Sequence, residues 1–153
     1  MKKKPIIGVI GQGGPVDEEI LLLAEQSGKL IAQRGAMLVC GGLGGVMEAA
    51  CRGAKSENGT TIGILPGQNI SEANDFVDIP IATGLGEARN SIVVRSAEVI
   101  IAIGGRFGTL SEIGFALAFG KKVIGLRTWQ GIDGIHYAEN VEHAVKLAFE
   151  FII

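Results

Sequence analysis

The 153-residue sequence is poor in the residues that mark several large classes of protein. Its two cysteines, Cys40 and Cys51, are too few for a disulfide framework and lack the CxxC spacing of zinc and redox sites. Six phenylalanines, one tyrosine and one tryptophan are too few for the aromatic platforms on which single-stranded nucleic acids stack. We therefore expect two buried free thiols, no metal site and no nucleic-acid partner.

The charge balance and the hydropathy exclude further classes. Fourteen Lys and Arg residues stand against sixteen Asp and Glu, and the one basic run is residues 2–4, so no basic surface for nucleic acid is indicated. No apolar run approaches the ~20 residues of a membrane span, and no signal-peptide core precedes the first apolar run. We expect a cytoplasmic protein without a membrane partner.

Glycine, in contrast, is abundant, since 24 residues are about twice the average usage of roughly 7%. The length suits one compact core, so residues 1–153 are predicted to form a single domain. Glycine in this amount indicates that the backbone approaches a ligand or a neighbouring element closely.

Short apolar runs bounded by glycine, proline or charge predict buried parallel strands at residues 6–10, 37–40, 61–65, 99–103 and 123–126. Helices are predicted between them, from an Asp17 cap to Gly35, at 46–54, 87–97 and 109–119, and at 141–151 behind an Asn140 cap. This alternation predicts an α/β fold: a doubly wound, Rossmann-like parallel sheet in a single domain. Ligands of such sheets bind at the carboxyl ends of the strands.

The segment 66–86 interrupts the alternation and is long for an ordinary connection. One interpretation is a functional loop. The other is an edge strand at about 78–83 with slack on either side, because Pro80 fits a sheet only at its edge.

Three of the predicted strands run into glycine at what should be one edge of the sheet. The glycines are Gly11, Gly13 and Gly14, then Gly41, Gly42, Gly44 and Gly45, then Gly104, Gly105 and Gly108. Glycine exposes backbone N–H groups to an anion, and a following helix adds the positive end of its dipole. The loops therefore predict a phosphate-bearing ligand.

Two common phosphate-binding enzymes do not fit these loops. Residues 11–16 lack the third glycine of GxGxxG, and the second strand ends without the acidic residue that holds an NAD ribose. No GKS or GKT is present, which excludes a Walker loop. The sequence thus indicates a Rossmann-like fold without the dehydrogenase fingerprint.

Two stretches carry a resemblance to a known superfamily: GGLGGVME at 41–48, and GEARN at 86–90 followed by GGRFGTLSE at 104–112. The chain resembles the cytokinin-activating phosphoribohydrolases, formerly labelled lysine decarboxylases, and their relatives the molybdenum-cofactor carrier proteins. The resemblance implies a nucleotide-sized site. It also implies that Arg89 and Glu112 match the catalytic pair of the hydrolases.

The chain departs from the hydrolase pattern at two positions, where Asn90 replaces a lysine and Arg106 replaces a glycine. The resemblance is therefore closer to the carrier branch. We expect a binding or carrier protein for a phosphorylated heterocycle, either a nucleotide or the pterin molybdenum cofactor, with no cofactor required for folding. The alternative is a nucleoside 5'-monophosphate phosphoribohydrolase that cleaves the N-glycosidic bond, with Arg89 and Glu112 as catalytic residues.

The predicted ligand- and phosphate-binding residues are Gly13, Gly41, Gly42, Gly44, Gly45, Arg89, Asn90, Gly104, Gly105, Arg106, Phe107, Gly108 and Thr109. Several of them have a second interpretation. Arg89 either binds an anion or is an exposed partner of Glu87. Thr109 either binds phosphate or caps a helix, and Glu112 either serves catalysis or completes a capping box with Thr109.

For other residues the sequence predicts less specific roles. His136, predicted in a loop, and His143 are expected at the surface, while Trp129 either stacks on a ligand ring or packs on its own loop. The predicted helix at 110–119 is apolar nearly all round, so it should be buried on every face, in part by another subunit. With the apolar residues Phe149, Phe151, Ile152 and Ile153 it predicts a homo-oligomer, a dimer or a tetramer.

Overall fold

The apolar runs form a seven-stranded sheet within residues 2–152, the part of the chain that the computed structural model describes. The strands are β1 (Ile6–Gly11), β2 (Met37–Cys40), β3 (Thr61–Leu65), β4 (Ile79–Ala82), β5 (Val99–Ile103), β6 (Lys122–Leu126) and β7 (Ile135–Tyr137). Their order is β4-β3-β2-β1-β5-β6-β7, and every neighbouring pair is parallel. The predicted parallel sheet is confirmed.

The strand order reverses at β1, which makes the sheet doubly wound. From β1 the chain adds β2, β3 and β4 on one side, then crosses back to place β5 on the other side of β1, with Gly8 opposite Ile100. Connections on either side of such a point diverge and leave a crevice above the carboxyl ends of the strands. The fold thus provides a binding position between the loops that follow β1, β2 and β5.

Five α-helices within the described residues cover the two faces of the sheet: α1 (Glu18–Gln33), α2 (Val46–Ser56), α3 (Asn90–Ser96), α4 (Phe107–Ala118) and α5 (Val141–Ile152). α1, α2 and α5 pack with one set of strand residues, and α3 and α4 pack with the other set. The five inner strands, β1, β2, β3, β5 and β6, are buried on both sides, as their continuous apolar runs predict.

Two glycines allow α1 and α2 to cross closely. A Cβ atom at Gly28 would lie 1.9 Å from the carbonyl oxygen of Ala50, and one at Gly53 would lie 1.9 Å from that of Glu25. Any larger residue would force the helices apart. Part of the glycine excess therefore serves packing between helices rather than a ligand.

The edges of the sheet differ in how well the sequence predicts them. β4 is an edge strand at 79–82 with Pro80 opposite Gly63, so the edge-strand interpretation of this segment is confirmed. β7, at the other edge, was not predicted, and the loop assignment of His136 is wrong because His136 lies in β7. Three residues leave too little alternation to distinguish such a strand from a loop.

Several helices begin or end at other residues than predicted. Asn140 caps α5 as predicted, its Oδ1 accepting the N–H of His143 at 2.8 Å, whereas Asp17 precedes α1 without a side-chain cap bond. The predicted helix at 87–97 divides into a 3₁₀ turn over Gly86–Arg89 and α3. α4 begins at Phe107 rather than Thr109, with Arg106 at the N-cap.

Within the single chain α4 is buried on one face only, and the prediction that another subunit covers the remaining surface stays a prediction. Ile113 and Ala116 face the core, whereas Phe115, Gly114 and Ala118 are exposed in the single chain. Phe149, Phe151 and Ile152 pack against the chain's own core, and Ile153, like Met1, lies outside the described residues. Within residues 2–152 no helix has the length and apolarity to cross a membrane.

Candidate functional site

A cavity of about 200 Å³ opens above the carboxyl ends of β1, β2 and β5, at the point where the strand order reverses. Its lining residues are Gly11, Gln12, Gly13, Gly41, Leu43, Met47, Glu87, Arg89, Asn90, Arg106, Gly108, Thr109 and Glu112. They come from the loops after three strands, from the turn before α3 and from the first turns of α2 and α4. This is the usual ligand position in a doubly wound sheet.

Many of the predicted site residues meet in this cavity. They are Gly13, Gly41, Arg89, Asn90, Arg106, Gly108, Thr109 and Glu112. The others, Gly42, Gly44, Gly45, Gly104, Gly105 and Phe107, do not line it. A Cβ atom at Gly45 would lie 2.2 Å from the Gln12 carbonyl oxygen, so this glycine serves the packing of the loops.

Sequence reasoning missed the cavity positions of Gln12, Leu43, Met47 and Glu87. Each stands inside or beside a glycine or arginine motif that was singled out. The signal that would have indicated them is a larger side chain next to glycines at the end of a strand. The adjacent glycines offer such a side chain nothing to pack against on the loop.

Arg89 is buried under the cavity, with 5% of its surface exposed. Its Nε donates to the Ile64 carbonyl oxygen at 2.9 Å and its Nη2 to that of Gly41 at 3.4 Å, so the side chain is fixed between β3 and β2. Glu87 Oε2 lies 4.0 Å from Nη1 and is largely exposed. The interpretation of Arg89 as an exposed surface partner of Glu87 is therefore wrong.

Asn90 links Arg89 to α4. Its Oδ1 accepts a hydrogen bond from Arg89 Nη1 at 2.5 Å, and its Nδ2 donates to Ser111 Oγ at 3.2 Å. Ser111 Oγ in turn donates to the Gly108 carbonyl oxygen at 2.7 Å. A lysine at position 90 has no acceptor and would place a second cation beside the guanidinium. The departure from the hydrolase pattern at this position thus has a definite structural role.

The N-terminus of α4 faces the cavity without an acidic residue in its first turn and without a side-chain cap bond. Thr109, at the third helical position, is 3% exposed, and its hydroxyl has no hydrogen-bond partner within residues 2–152. Every fully enclosed side-chain oxygen or nitrogen in these residues is paired, so this hydroxyl opens onto the cavity. The predicted cap and capping box are wrong, because the helix begins two residues earlier.

Glu112 lines the cavity from the second turn of α4 and is 7% exposed. Burial raises the pKa of its carboxyl to about 8; the positive charge of Arg89 opposes this rise, while Cys40 and Glu87 add to it. At neutral pH the free protein therefore holds Glu112 as a neutral acid. A neutral carboxyl donates a hydrogen bond and does not repel an anion.

The two cysteines lie beneath the cavity, fully buried and free, as predicted. Their Sγ atoms are 3.5 Å apart, and Cys40 Sγ accepts the N–H of Gly42 at 3.3 Å. Neither lines the cavity. Across residues 2–152, moreover, no three His, Cys, Asp or Glu side chains are grouped as metal ligands.

Beside the mouth of the cavity, Trp129 packs on the loop that carries Arg106. Its Nε1 donates to the Arg106 carbonyl oxygen at 3.0 Å, and its ring centroid lies 5.7 Å from that of Phe107. Trp129 therefore contacts the loop after β5 rather than its own loop after β6, and its stacking on a ligand ring stays a prediction. Arg127, which also follows β6, pairs with Glu19.

Known structures with the same fold share much of this sequence. The molybdenum cofactor binding protein of Rippkaea orientalis is 42% identical, the match covers 100% of both chains, and the TM-score is 0.95. The molybdenum cofactor carrier protein of Chlamydomonas reinhardtii is 40% identical, with 98% of this chain and 99% of that chain covered and a TM-score of 0.89.

A curated enzyme is more distantly similar. The cytokinin riboside 5'-monophosphate phosphoribohydrolase of Mycobacterium marinum is 30% identical over 139 residues, which are 84% of this chain and 74% of that protein. Both branches of the superfamily that the motifs resemble are therefore represented, with the carriers more similar than the hydrolase. Residues 4–150 match the SLOG cluster4 family. The chain, with its single Rossmann-like domain and its cavity between the glycine loops, belongs to that family.

Proposed function

We propose that this protein is a carrier that binds a phosphorylated heterocycle, with the molybdenum cofactor as the first candidate and a nucleotide as the second. The observation that carries the proposal is the N-terminus of α4, which presents free backbone donors and the unpaired Thr109 hydroxyl to a cavity. The similarity to a molybdenum cofactor binding protein of one organism and a molybdenum cofactor carrier protein of another supports the choice of cofactor.

The charges around the cavity favour an anion. The positive end of the α4 dipole meets no carboxylate in its first turn, and Arg106 lines the same wall. Arg89 has five N–H donors, of which protein acceptors take three. The remaining donors are available to phosphate oxygens, which accept charge-assisted hydrogen bonds.

The volume of the cavity fits one end of such a ligand. About 200 Å³ is less than the roughly 300–1,000 Å³ of sites that enclose a drug-sized ligand. A phosphate and the atoms next to it would enter, and the ring system would extend toward the mouth.

The donor set also fits the organic part of the molybdenum cofactor rather than its metal. The lining offers backbone N–H groups, a hydroxyl and guanidinium groups, whereas the free thiols of Cys40 and Cys51 are buried outside the lining and share a hydrogen bond. When bound, the cofactor would bring metal-based redox chemistry, whereas this chain would hold its phosphate through Thr109 and Arg106. In such an arrangement the metal end of the cofactor would stay accessible, and the cofactor could be transferred to another protein.

The test is titration calorimetry with inorganic phosphate, AMP and isolated molybdenum cofactor. A charge-assisted hydrogen bond is worth about 1.5–3 kcal/mol, so Arg106→Ala should weaken binding by roughly ten- to hundredfold. Arg127→Ala is the matched control, because Arg127 lies on the neighbouring loop and outside the cavity. Equal affinities of the wild type and Arg106→Ala for all three ligands would contradict the site.

The second candidate is the hydrolysis of a nucleoside 5'-monophosphate. The raised pKa of Glu112 supports this candidate, because an acid with a pKa near the working pH can protonate a leaving base. A second support is the similarity to the Mycobacterium marinum protein, which is named for this activity. The N-glycosidic bond would break as the base leaves with the Glu112 proton, and water would add to the sugar carbon and return one of its protons to the Glu112 carboxylate. We expect little release of free base, because Asn90 and Arg106 replace residues of the hydrolase pattern; rapid release that Glu112→Gln abolishes would favour the enzyme.

We also propose that the protein is a homo-oligomer, a dimer or a tetramer. The outward face of α4 carries Phe115, Gly114 and Ala118 and no charged residue, and an uncharged, largely apolar surface of this kind is typical of a contact between subunits. Light scattering that gives the 15.9 kDa of one chain at high concentration would contradict this. The cytoplasmic location and the absence of a nucleic-acid partner stay predictions.

A further inference from the structure

Phe107 is the most exposed large apolar side chain among the described residues, at 75% of its surface. It is the first residue of α4 and directly follows Arg106, which lines the cavity. An exposed phenylalanine stabilises a free protein little, since its ring remains in water. Because Phe107 lies between two residues that line the cavity, its ring is in a position to contact the part of a ligand that extends out of the cavity.

The ring of Phe107 packs against Trp129, whose own position is fixed by hydrogen bonds. The Trp129 ring lies 5.7 Å away at a tilt of 41°, and its Nε1 is bonded to the Arg106 carbonyl oxygen. Tyr137 Oη donates to the Trp129 carbonyl oxygen at 2.5 Å and accepts the N–H of Ile132 at 3.3 Å. These bonds connect the loop after β6 to the loop after β5 and fix the position of Trp129, on whose ring Phe107 packs.

We propose that Phe107 and Trp129 form an aromatic shelf that receives the planar heterocycle of a ligand whose phosphate lies in the cavity. This inference rests on the proposed function and assigns to it the binding of the ring. The cavity is too small for a whole nucleotide or pterin, and Arg106 connects its wall directly to the shelf. A planar ring stacks on an aromatic face, and the Arg106 guanidinium, which forms no hydrogen bond within residues 2–152, can add a cation–π contact.

The shelf predicts a class of ligand: a flat heteroaromatic ring joined to a phosphate by a short linker. A sugar phosphate without a ring would fill the cavity and leave the shelf uncovered. Stacking on an aromatic side chain contributes about 5- to 100-fold in affinity. The ring should therefore be separable from the phosphate in a binding experiment.

The experiment compares AMP with ribose 5-phosphate, which has the same phosphate and sugar without the ring. Calorimetry on the wild type should give AMP an affinity about 5- to 100-fold higher, and Phe107→Ala should remove this difference without weakening ribose 5-phosphate. Phe107→Tyr should restore it. Phe115→Ala is the matched control, because Phe115 is an exposed phenylalanine two turns along the same helix.

Trp129 supplies a second readout, since it is the one tryptophan of the chain. AMP should change its fluorescence, whereas ribose 5-phosphate and inorganic phosphate should not.

Equal affinities of AMP and ribose 5-phosphate, both lost in Arg106→Ala, would overturn the shelf and leave the proposed function intact. Failure of AMP, ribose 5-phosphate and isolated molybdenum cofactor to bind would overturn both proposals. A Phe107→Ala variant that changes the oligomeric state but keeps the preference for AMP would overturn the shelf and assign Phe107 to a subunit contact.

Discussion

Asn90 accepts a hydrogen bond from Arg89 at 2.5 Å while its own amide group donates to Ser111 on α4. The two side chains are 3% and 5% exposed, so this contact replaces water for both of them. Through Asn90, Arg89 is joined to α4, the helix whose N-terminus faces the cavity. The orientation of Arg89 therefore depends on Asn90.

Removing this acceptor should destabilise the protein. Asn90→Leu has a similar volume but leaves a buried N–H of Arg89 without its acceptor, whereas Ser111 keeps its bond to the Gly108 carbonyl oxygen, so the free energy of unfolding should fall by about 1–3 kcal/mol. Urea denaturation measures the change. Ser91→Ala is the control, because Ser91 is a solvent-accessible neighbour whose hydroxyl bonds the Ala88 carbonyl oxygen. A loss as small in Asn90→Leu as in Ser91→Ala would contradict the positioning role.

Gly41 allows Arg89 and Met47 to meet beneath the cavity. A Cβ atom there would lie 2.7 Å from Met47 Sδ and 2.9 Å from Arg89 Nη2, so Gly41→Ala should displace the guanidinium and weaken phosphate binding about tenfold. The matched variant is Gly14→Ala, whose nearest neighbour is Gln12 Nε2 at 3.9 Å. Calorimetry should show a loss only for Gly41→Ala.

The raised pKa of Glu112 should make stability depend on pH. Burial raises this pKa from 4.5 to about 8, so between these values the folded state keeps a proton that the unfolded state releases. The resulting stability is fully present below about pH 4.5 and is lost as the pH rises toward 8, at up to about 1.4 kcal/mol per pH unit.

Glu112→Gln isolates this effect, since glutamine does not titrate and other groups cancel in the comparison. Relative to the wild type, the variant should gain up to about 4 kcal/mol between about pH 5 and pH 8. Urea denaturation of both proteins across this range measures the difference. Parallel pH profiles would mean that Glu112 ionises at its ordinary pKa.

The buried thiols should not react in the native protein. Cys40 and Cys51 are 0% exposed and their Sγ atoms are 3.5 Å apart, so a bulky disulfide reagent should label neither of them until the chain is unfolded. Absorbance of the released thiol in buffer and in denaturant gives the two counts. Rapid labelling of either cysteine in buffer would show that the segment around Gly42 opens.

The sequence by itself determined the sheet and the edge at which the cavity lies. Apolar runs such as 99–103 have no alternation, which requires burial on both faces, and parallel strands bring their carboxyl ends and following glycines together. The Asn140 cap was also predictable, since an N-cap bond spans only three residues. These features depend on local chemistry or on the period of side-chain polarity, both of which a sequence displays.

The tertiary structure alone decided how the site residues act. Arg89 lies in the interior because Ile64 and Gly41, distant in sequence, supply its acceptors, and no local pattern records such contacts. The start of α4 at Phe107 involves the Arg106 carbonyl oxygen, which accepts from Leu110 within the helix and from Trp129 across the fold. The neutral state of Glu112 follows from its burial, and burial is set by every element packed around a residue, so a single sequence position does not determine it.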